Sequence, residues 1–336
     1  MQIIELVQPG LDSFRRAEVP EPTAPARGRV LVRMRAASLN FIDLTIAQGP
    51  YPGAPFPVTP VADGAGEVFA IGPEVTGLAI GDRVAIHPKA LWIAGRGSAE
   101  QANTMRGLNL PGSTIEIAAV DAASLVKAPA HLSWEAIAAL PICATTAWNA
   151  LSAAEAGPGS TVVLLGTGGV SIFALQLAKA RGARVIITSS SDEKLARARA
   201  LGADETVNYR TSPDWDGQVL ELTGGKGADL VVETGGAETF VRSMTAVRQG
   251  GVVFTVGFVT GSRLEVDLMP LIVKAIRVLG NNTGSVADLA EATAAIAAHR
   301  IEPVVDRVFG VDQLAEAYRA LAADGHFGKL GIRLDW

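Results

Sequence analysis

The sequence is poor in cysteine and in aromatic residues, and it carries no excess of positive charge. Cys143 is its single cysteine among 336 residues, which excludes an internal disulfide framework. Aromatic residues make up 5%, and the formal net charge is −5. That charge gives no basic field for nucleic acid or an anionic membrane, and no apolar run reaches the roughly 18 residues of a membrane span. We therefore expect a small-molecule substrate, and neither nucleic-acid nor membrane partners.

What the sequence does contain is typical of a folded α/β protein. Hydrophobic residues account for 49% and charged residues for 19%, with 36 glycines and 18 prolines to form turns. A chain of this length exceeds most single cores, so two domains are expected. Met1 leads directly into the strand-like QIIELV without a basic, apolar signal segment, which predicts a cytoplasmic location.

The pattern of the sequence changes twice and predicts three segments. Residues 1–127 contain short alternating strands such as RVLVRMRAA between Gly and Pro turns, which indicates an all-β, barrel-like domain. Residues 128–282 begin with a linker helix, capped by Ser133 and interrupted at Pro141, and continue with alternating strands and helices. Their continuous β-branched runs indicate a parallel sheet covered on both faces. Residues 283–336, with a helix over 313–323, return to complete the first domain.

A glycine-rich loop between a buried strand and an amphipathic helix is the strongest chemical signal. Gly166, Gly168 and Gly169 lie in VVLLGTGGVSIFALQLAKA. Such glycines allow a tight turn and close approach to a pyrophosphate, which the helix N-terminus stabilises. Ser171 stands where a third glycine is usual, and it is still small enough for close packing of the helix. The order of strand, loop, helix and second strand predicts a dinucleotide-binding domain.

The end of the next strand predicts which dinucleotide is bound. An NAD site usually has Asp or Glu there to bind the ribose 2′-hydroxyl, whereas this chain has Ser189. Ser189 and Ser190 offer hydroxyls and Lys194 offers a cation, so this strand end suits the 2′-phosphate of NADP(H). The serines also suit a second role, the capping of the following helix.

Motifs along essentially the whole chain resemble the medium-chain dehydrogenase/reductases. The similarity is to their zinc-independent branch, which is quinone-oxidoreductase-like or alcohol-dehydrogenase-like. The resemblance implies an α/β protein with a GroES-like β-barrel catalytic domain and a Rossmann cofactor domain. It rests on AASLNFIDL (36–44), DGAGEVFAIG (63–72), GDRV (81–84), CATTAWNAL (143–151), GTGGVSIFALQLAKARGARVI (166–186), LGADETVNY (201–209) and HFGKLGIRL (326–334).

The resemblance also implies contacts and an assembly. Gly235 and Gly257, which end two later strands, should pass close to the ribose and nicotinamide. A homodimer or homotetramer through the cofactor domain is usual in such relatives. The residues expected to line the NADP(H) are Thr146, Gly168, Gly169, Val170, Ser189, Lys194 and Tyr209.

The ligands of the zinc-containing relatives are missing from this chain. Asn40 replaces one Cys, and Val61, Ala62 and Asp63 replace a Gly-His-Glu step, so that only Cys143 stands at a ligand position. A catalytic zinc needs three protein ligands. The four-cysteine structural lobe is also absent, and the four histidines are scattered singly. The sequence therefore predicts no metal.

Without a Lewis acid, oxidation of an unactivated alcohol is difficult, and reduction of a polarised acceptor is easier. The leading hypothesis is an NADPH-dependent reductase of quinones or of other activated alkenes and carbonyls. Asn40 and Tyr51 are candidate donors to the oxygen that gains charge, and Asp43 is a candidate buried scaffold residue. Trp92 and Met105 are candidate pocket residues. Two alternatives remain: an NAD(P)-dependent alcohol dehydrogenase, and an NADPH-binding sensor or structural protein with little turnover.

Overall fold

The computed structural model describes residues 1–49, 51 and 53–336, which form two compact units. The first unit comprises Met1–Thr145 and Gly284–Trp336, and the second comprises Thr146–Thr283. The predicted boundary after residue 127 differs from this division, because residues 128–145 belong with the first unit. The short helix in that stretch packs on five strands of the first unit, so it is part of that unit's core.

Strands dominate the first unit. One antiparallel pair stands apart, and the other strands form a sheet in the order β14-β15-β3-β4-β5-β7, with β6 paired to β3. Residues 1–127 contribute seven of these strands, as expected, together with two short helices that an all-β domain would lack. The strands are β1 Gln2–Leu6, β2 Phe14–Glu18, β3 Arg29–Leu39, β4 Asp63–Ile71, β5 Arg83–Ile86, β6 Ile117–Asp121, β7 Leu125–Lys127, β14 Val305–Gly310 and β15 Lys329–Arg333.

Strand β3 organises this sheet, because it pairs with three neighbours. Its side chains alternate in the middle of the strand, where Met34 is buried and Arg33 and Arg35 are exposed. The C-terminal strand β15 pairs with it antiparallel, with Leu330 opposite Leu39. This register brings the end of the chain beside the residues that follow β3.

The helices of the first unit are short, and the linker helix is broken. Ser133 caps its first part, since the hydroxyl accepts a hydrogen bond from the amide of Ala136. The break falls at Ala139 and not at Pro141, because proline is tolerated in the first turn of a helix. The helices are α1 Phe41–Gln48, α2 Ala99–Asn103, α3 Trp134–Ala138, α4 Leu140–Ala153, which continues into the second unit, α10 Val286–Ala298 and α11 Leu314–Ala322.

The second unit contains a six-stranded parallel sheet in the order β10-β9-β8-β11-β12-β13, as its continuous apolar runs predict. Chain order reverses between β8 and β11, and sheets of this kind bind ligands at the carboxyl ends of the strands beside such a point. The strands are β8 Thr161–Leu164, β9 Arg184–Ser189, β10 Glu205–Asn208, β11 Ala228–Glu233, β12 Val247–Thr255 and β13 Arg277–Gly280.

Helices alternate with these strands and cover them. Val163, Ile186, Val231 and Val253 of the sheet are fully buried and share one core. None of the helices in 1–49, 51 and 53–336 has both the length and the apolar character needed to cross a bilayer. The helices of the second unit are α5 Gly169–Ala180, α6 Asp192–Ala200, α7 Trp215–Leu222, α8 Phe240–Ala246 and α9 Leu268–Val273.

Candidate cofactor and active sites

The glycine loop of the second unit is shaped as a phosphate site requires. Gly166 has φ +69°, a left-handed conformation that glycine adopts without strain. Gly168 precedes α5 in an extended conformation, and no atom lies within 4 Å of a Cβ added there. Gly169 and Val170 begin the helix. The free amides of this N-terminus therefore face open space, so the loop fits a dinucleotide pyrophosphate.

Ser171 takes over the packing role of the missing third glycine. It is buried, and its hydroxyl donates a hydrogen bond of 2.7 Å to the carbonyl oxygen of Leu165 at the end of β8. The Thr234 hydroxyl donates to the same oxygen at 2.9 Å. Both bonds tie the glycine loop to its strand without a side chain entering the open space.

The four residues predicted at the adenosine end lie at one end of the sheet. Ser189 is the last residue of β9 and is buried, and the Tyr209 amide, just after β10, donates to its carbonyl oxygen at 3.1 Å. Ser190 follows Ser189. Lys194 lies in the first turn of α6, where its amide donates to the capping hydroxyl of Ser191. The helix cap is therefore Ser191, whose own amide donates to the Ser189 hydroxyl at 3.3 Å.

One acid at this end has a structural role. Asp192 begins α6, where a carboxylate complements the helix dipole. Its carboxylate also accepts a hydrogen bond of 2.7 Å from the Asn208 side chain. The acid therefore holds α6 against β10, and the position at the strand end that NAD sites reserve for an acid remains Ser189.

Gly235 and Gly257 are required by their own surroundings. A Cβ at Gly257 would lie 2.2 Å from the Thr234 carbonyl oxygen, and one at Gly235 would lie 2.3 Å from the Thr239 hydroxyl. Packing within the chain thus accounts for both glycines. Thr146, the other predicted cofactor residue, is buried in α4.

Glu233 organises the loop that contains Gly235, and the sequence interpretation missed it. It is fully buried at the end of β11. One carboxylate oxygen accepts from the amides of Gly235 and Gly236 and from the Thr239 hydroxyl, and the other accepts from Ser243. Four donors satisfy the buried charge, so the carboxylate fixes the loop. Its place as an acid at the end of a buried apolar strand is the sequence feature that could have identified it.

In the first unit, Asn40 lies at the centre of a buried polar cluster formed by Asn40, Asp43, Asp63, Cys143 and Lys329. Its amide nitrogen donates to the Asp63 carboxylate at 2.9 Å and, more weakly, to the Ser38 carbonyl oxygen at 3.4 Å. Its amide oxygen accepts from Lys329. Both hydrogens of the amide therefore point into the protein. This orientation corrects the interpretation of Asn40 as a donor to an acceptor molecule.

Asp43 makes the contacts of a scaffold residue. Its two oxygens accept from the backbone amides of Asn40 and Ala62, each at 2.8 Å. Burial raises the pKa of this carboxyl to about 6, and the backbone hydrogen bonds oppose that increase. The carboxylate thus joins the start of α1 to the segment before β4. Val61 in that segment has φ +70°, an uncommon conformation for a β-branched residue.

Lys329 is the member of the cluster that the sequence interpretation did not select. It begins β15 and is 2% exposed. Its ammonium donates to the carbonyl oxygen of Leu39 and to the side-chain oxygen of Asn40, both at 2.6 Å. The lysine lies within HFGKLGIRL, where a single cation among apolar strand residues is the signal that could have identified it.

The two carboxylate oxygens of Asp63 differ in their hydrogen bonding. One accepts from the Asn40 side chain and, at 3.2 Å, from the Ile142 amide, and it lies 3.9 Å from the Lys329 ammonium. The other is buried and has no partner among the described residues. Burial raises the pKa of Asp63 to about 7, although Lys329 opposes the increase. This carboxyl is therefore poised to change its charge near neutral pH.

Asn40, Ala62 and Cys143, which stand where the zinc-containing relatives have their ligands, do not fit a zinc ion. Burial raises the pKa of the Cys143 thiol to about 11, so forming the thiolate that zinc binds costs more here than at an ordinary cysteine. The Asn40 oxygen already accepts from Lys329. Across 1–49, 51 and 53–336, no three His, Cys, Asp or Glu side chains are grouped so that they could hold a metal.

Tyr51 lies in a small apolar group of the same unit. It is half-buried and packs against Ile46, Met105 and Leu108, so the structure brings it together with Met105. Trp92 is not in this group, and its ring nitrogen donates to the Gly95 carbonyl oxygen at 2.8 Å. The apolar surroundings of Tyr51 suit a flat, weakly polar molecule, and its phenol can donate a hydrogen bond.

Known proteins resemble this chain over almost its full length. Residues 26–130 match the family described as alcohol dehydrogenase GroES-like domain, and residues 169–298 match the one described as zinc-binding dehydrogenase. A zinc-type alcohol dehydrogenase-like protein of Schizosaccharomyces pombe is 39% identical over 334 residues, which cover 97% of this chain and 96% of that protein. A quinone oxidoreductase of Pseudomonas aeruginosa is 33% identical over 294 residues, covering 87% and 82%.

Solved structures share the fold. One described as an NAD-dependent alcohol dehydrogenase superimposes with a TM-score of 0.89 at 34% identity, over 99% of each chain. The fold class expected from the sequence, a GroES-like domain with a parallel-sheet Rossmann domain, is confirmed by these similarities.

Proposed function

The chain belongs to the medium-chain dehydrogenase/reductase superfamily and is an oxidoreductase of alcohol dehydrogenase-like type, and from this we propose a specific activity. It uses NADPH to reduce a quinone, or another activated alkene or carbonyl compound, without catalytic zinc. The observation that carries the proposal is the buried cluster around Asn40, whose hydrogen bonds occupy the side chains at the metal-ligand positions.

The choice of acceptor follows from the charge that must be stabilised. When hydride adds to a carbon of the acceptor, an electron pair moves onto the conjugated oxygen, which then takes a proton from water. A quinone or enone tolerates this charge without a Lewis acid, whereas an alcohol must first lose a proton. The Tyr51 hydroxyl is the proposed donor to that oxygen. Its apolar neighbours Ile46, Met105 and Leu108 suit the ring of such an acceptor.

The cofactor assignment rests on the second unit. NADPH, when bound, supplies the hydride. Gly166, Gly168 and Gly169, with the first turn of α5, are the proposed pyrophosphate site, and the open space at Gly166 and Gly168 supports this role. Ser189, Ser190, Lys194 and Tyr209 are the proposed partners of the 2′-phosphate. A solved structure described as an NAD-dependent alcohol dehydrogenase shares the fold. Similarity to known proteins therefore does not support NADPH over NADH, and the proposed preference depends on the residues at the end of β9.

We expect the purified protein to oxidise NADPH with quinones or enones in the presence of a metal chelator. In the same assay, Tyr51→Phe should lower turnover about tenfold to a hundredfold, because a hydrogen bond to a charged oxygen contributes roughly 1.5–3 kcal/mol. NADPH affinity, followed by nicotinamide fluorescence, should be unchanged. The panel should include quinones, enones, aldehydes and alcohols.

Each negative result identifies a different failure. Activity that is lost on removal of one bound zinc per chain would overturn the zinc-free mechanism. Tight NADPH binding without turnover of any acceptor would favour a sensor or structural protein. Unchanged kinetics of Tyr51→Phe with every active acceptor would show that the acceptor is bound elsewhere.

A homodimer through the second unit is part of the proposal. β13 is the outermost strand of its sheet, and among the described residues it pairs with β12 alone, which leaves an open edge for another strand. Beside it in sequence, the short helix α9 exposes a cluster of apolar side chains, each about 60% exposed. Such a patch is unusual on the surface of a monomer. Its members are Leu268, Met269, Ile272 and Val273.

We expect the protein to elute at twice its 34.8 kDa chain mass or at a higher multiple, and Ile272→Arg to reduce the mass toward one chain. The arginine would bury a charge in an apolar interface, which is costly. Light scattering coupled to size exclusion measures both. Ile80→Arg is the matched control, because Ile80 is 69% exposed in the first unit. A wild-type monomer, or equal dissociation by both substitutions, would contradict the proposed interface.

A further inference from the structure

The ammonium of Lys329 contacts the residues at two of the three positions that bind zinc in the metal-containing relatives. It donates to the side-chain oxygen of Asn40 at 2.6 Å, and it also interacts with the Cys143 thiol. The thiol in turn donates to the same Asn40 oxygen at 3.4 Å. The third position is Ala62, whose methyl group offers no ligand. The cation thus lies among the side chains that would otherwise surround a metal.

The charges around Lys329 resemble those of a metal site. Asp63 approaches the ammonium at 3.9 Å, and Asp43 is buried nearby as a second acid of the cluster. A lysine with 2% exposure needs such partners, because a buried charge is costly without them. The ammonium and the carboxylates therefore depend on each other for their electrostatic stability.

The backbone holds this lysine in place. Lys329 begins β15, whose next residue, Leu330, pairs with Leu39 at the end of β3. The ammonium also donates to the Leu39 carbonyl oxygen at 2.6 Å. Gly328, before it, has φ +82°, and a Cβ there would lie 2.5 Å from the Val304 carbonyl oxygen. The turn into the strand is therefore closely fitted, which limits the freedom of the lysine to move away.

We infer that Lys329 is a built-in cation that takes the place of the zinc ion, holding Asn40 and Asp63 in position and excluding a divalent metal by its charge. This inference rests on the proposed function in one respect, the absence of zinc. It goes beyond it by assigning the exclusion to a residue outside the ligand positions. Lys329 is accordingly a positioning residue, and its effect is measurable as metal affinity.

The test compares zinc binding in two variants. Asn40→Cys supplies a second thiol, so that with Cys143 and the Asp63 carboxylate three potential ligands are present. We expect N40C alone to bind Zn²⁺ as weakly as the wild type, and N40C/K329M to bind it at least a hundredfold more tightly. Competition with a chromophoric chelator measures the affinity, and thiolate-to-metal absorption with Co²⁺ reports whether the thiols are ligands.

Two control variants test whether zinc binding depends on the charge at position 329 in particular. N40C/K329R keeps a cation in the cluster and should bind zinc as weakly as N40C. N40C/K127M removes an exposed lysine of the same unit and should also bind weakly. Circular dichroism checks the folding of each variant, and N40C/K329Q replaces N40C/K329M if the methionine variant does not fold.

Equal zinc affinity of N40C and N40C/K329M (or N40C/K329Q), whether tight or weak, would overturn the inference. So would equal tightening by K127M. These outcomes do not involve turnover. They would leave zinc-free reduction by the wild type standing, whereas a loss of wild-type activity in chelator would reject the proposed function on separate grounds.

Discussion

Replacing Ser189 by Asp is expected to reverse the cofactor preference from NADPH to NADH. The carboxylate would repel the 2′-phosphate of NADPH and accept a hydrogen bond from the free 2′-hydroxyl of NADH. Each hydrogen bond to a charged group contributes roughly 1.5–3 kcal/mol. Losing one with NADPH and gaining one with NADH should change the ratio of the two kcat/KM values by about a hundredfold to ten-thousandfold. Steady-state kinetics with both cofactors measure this ratio.

Two further variants test whether the effect depends on position 189 and on the phosphate. Ser262→Asp adds the same charge on an exposed loop of the second unit and should leave the ratio within a fewfold of the wild type. Lys194→Ala should weaken the binding of NADPH and leave that of NADH nearly unchanged, because of the two cofactors only NADPH carries the 2′-phosphate that this lysine is proposed to contact. A wild type that uses NADH as well as NADPH would contradict the role given to Ser189.

The stability of the first unit is expected to fall as the pH rises from about 4 to about 7, because of Asp63. Its pKa is raised by burial from 3.8 to about 7, so the folded state holds a proton that the unfolded chain releases. The stabilisation is therefore complete below pH 3.8 and is lost by about pH 7. Linkage gives it a size of roughly 4 kcal/mol.

Two other buried groups titrate in the same range with different signs. Asp43, with its pKa raised to about 6, acts in the same direction as Asp63. His87 acts in the opposite direction between about pH 4 and 6.5, because burial lowers its pKa to about 4 and the unfolded chain then binds the additional proton. A comparison of the wild type with a variant of Asp63 alone removes most of both contributions.

Asp63→Asn is the variant for this comparison, since an amide imitates the protonated carboxyl and can still accept from Asn40. Relative to the wild type, it should gain up to roughly 4 kcal/mol between pH 4 and pH 7.5. Urea unfolding at several pH values measures the difference. Asp335→Asn, which changes an exposed carboxylate of the same unit, should show no such trend. Parallel curves for the wild type and D63N would contradict the buried, protonated state.

The features that the sequence predicted well are those encoded by residues close together in the chain. The parallel sheet follows from apolar runs such as TVVLLG, and the glycine loop follows from its place between strand and helix. Ser189 could be placed at the end of β9 for the same reason. Each of these signals lies within one element and its neighbour, where the residue spacing alone constrains the geometry.

Other features required the packing of distant segments. The sequence identified Asn40 as a polar residue at a former ligand position, but the direction of its amide depends on Asp63 and Lys329, which lie 23 and 289 residues away. Likewise, the need for glycine at position 257 arises from the Thr234 carbonyl oxygen of a neighbouring strand. The linker helix joined the first unit because of strands that come both before and after it in the chain.

The sequence by itself therefore determined the family and the class of fold. It also located the glycine loop and the strand end that we propose as the two ends of a dinucleotide site. Only the tertiary structure decided that the ammonium of Lys329 lies beside Asn40, at a position where the zinc-containing relatives have a metal ligand. The physical reason is the register of β15 on β3: pairing Leu330 with Leu39 places Lys329 beside Asn40. A shift by one residue would turn the lysine to the other face of the sheet, and no local pattern in HFGKLGIRL encodes that choice.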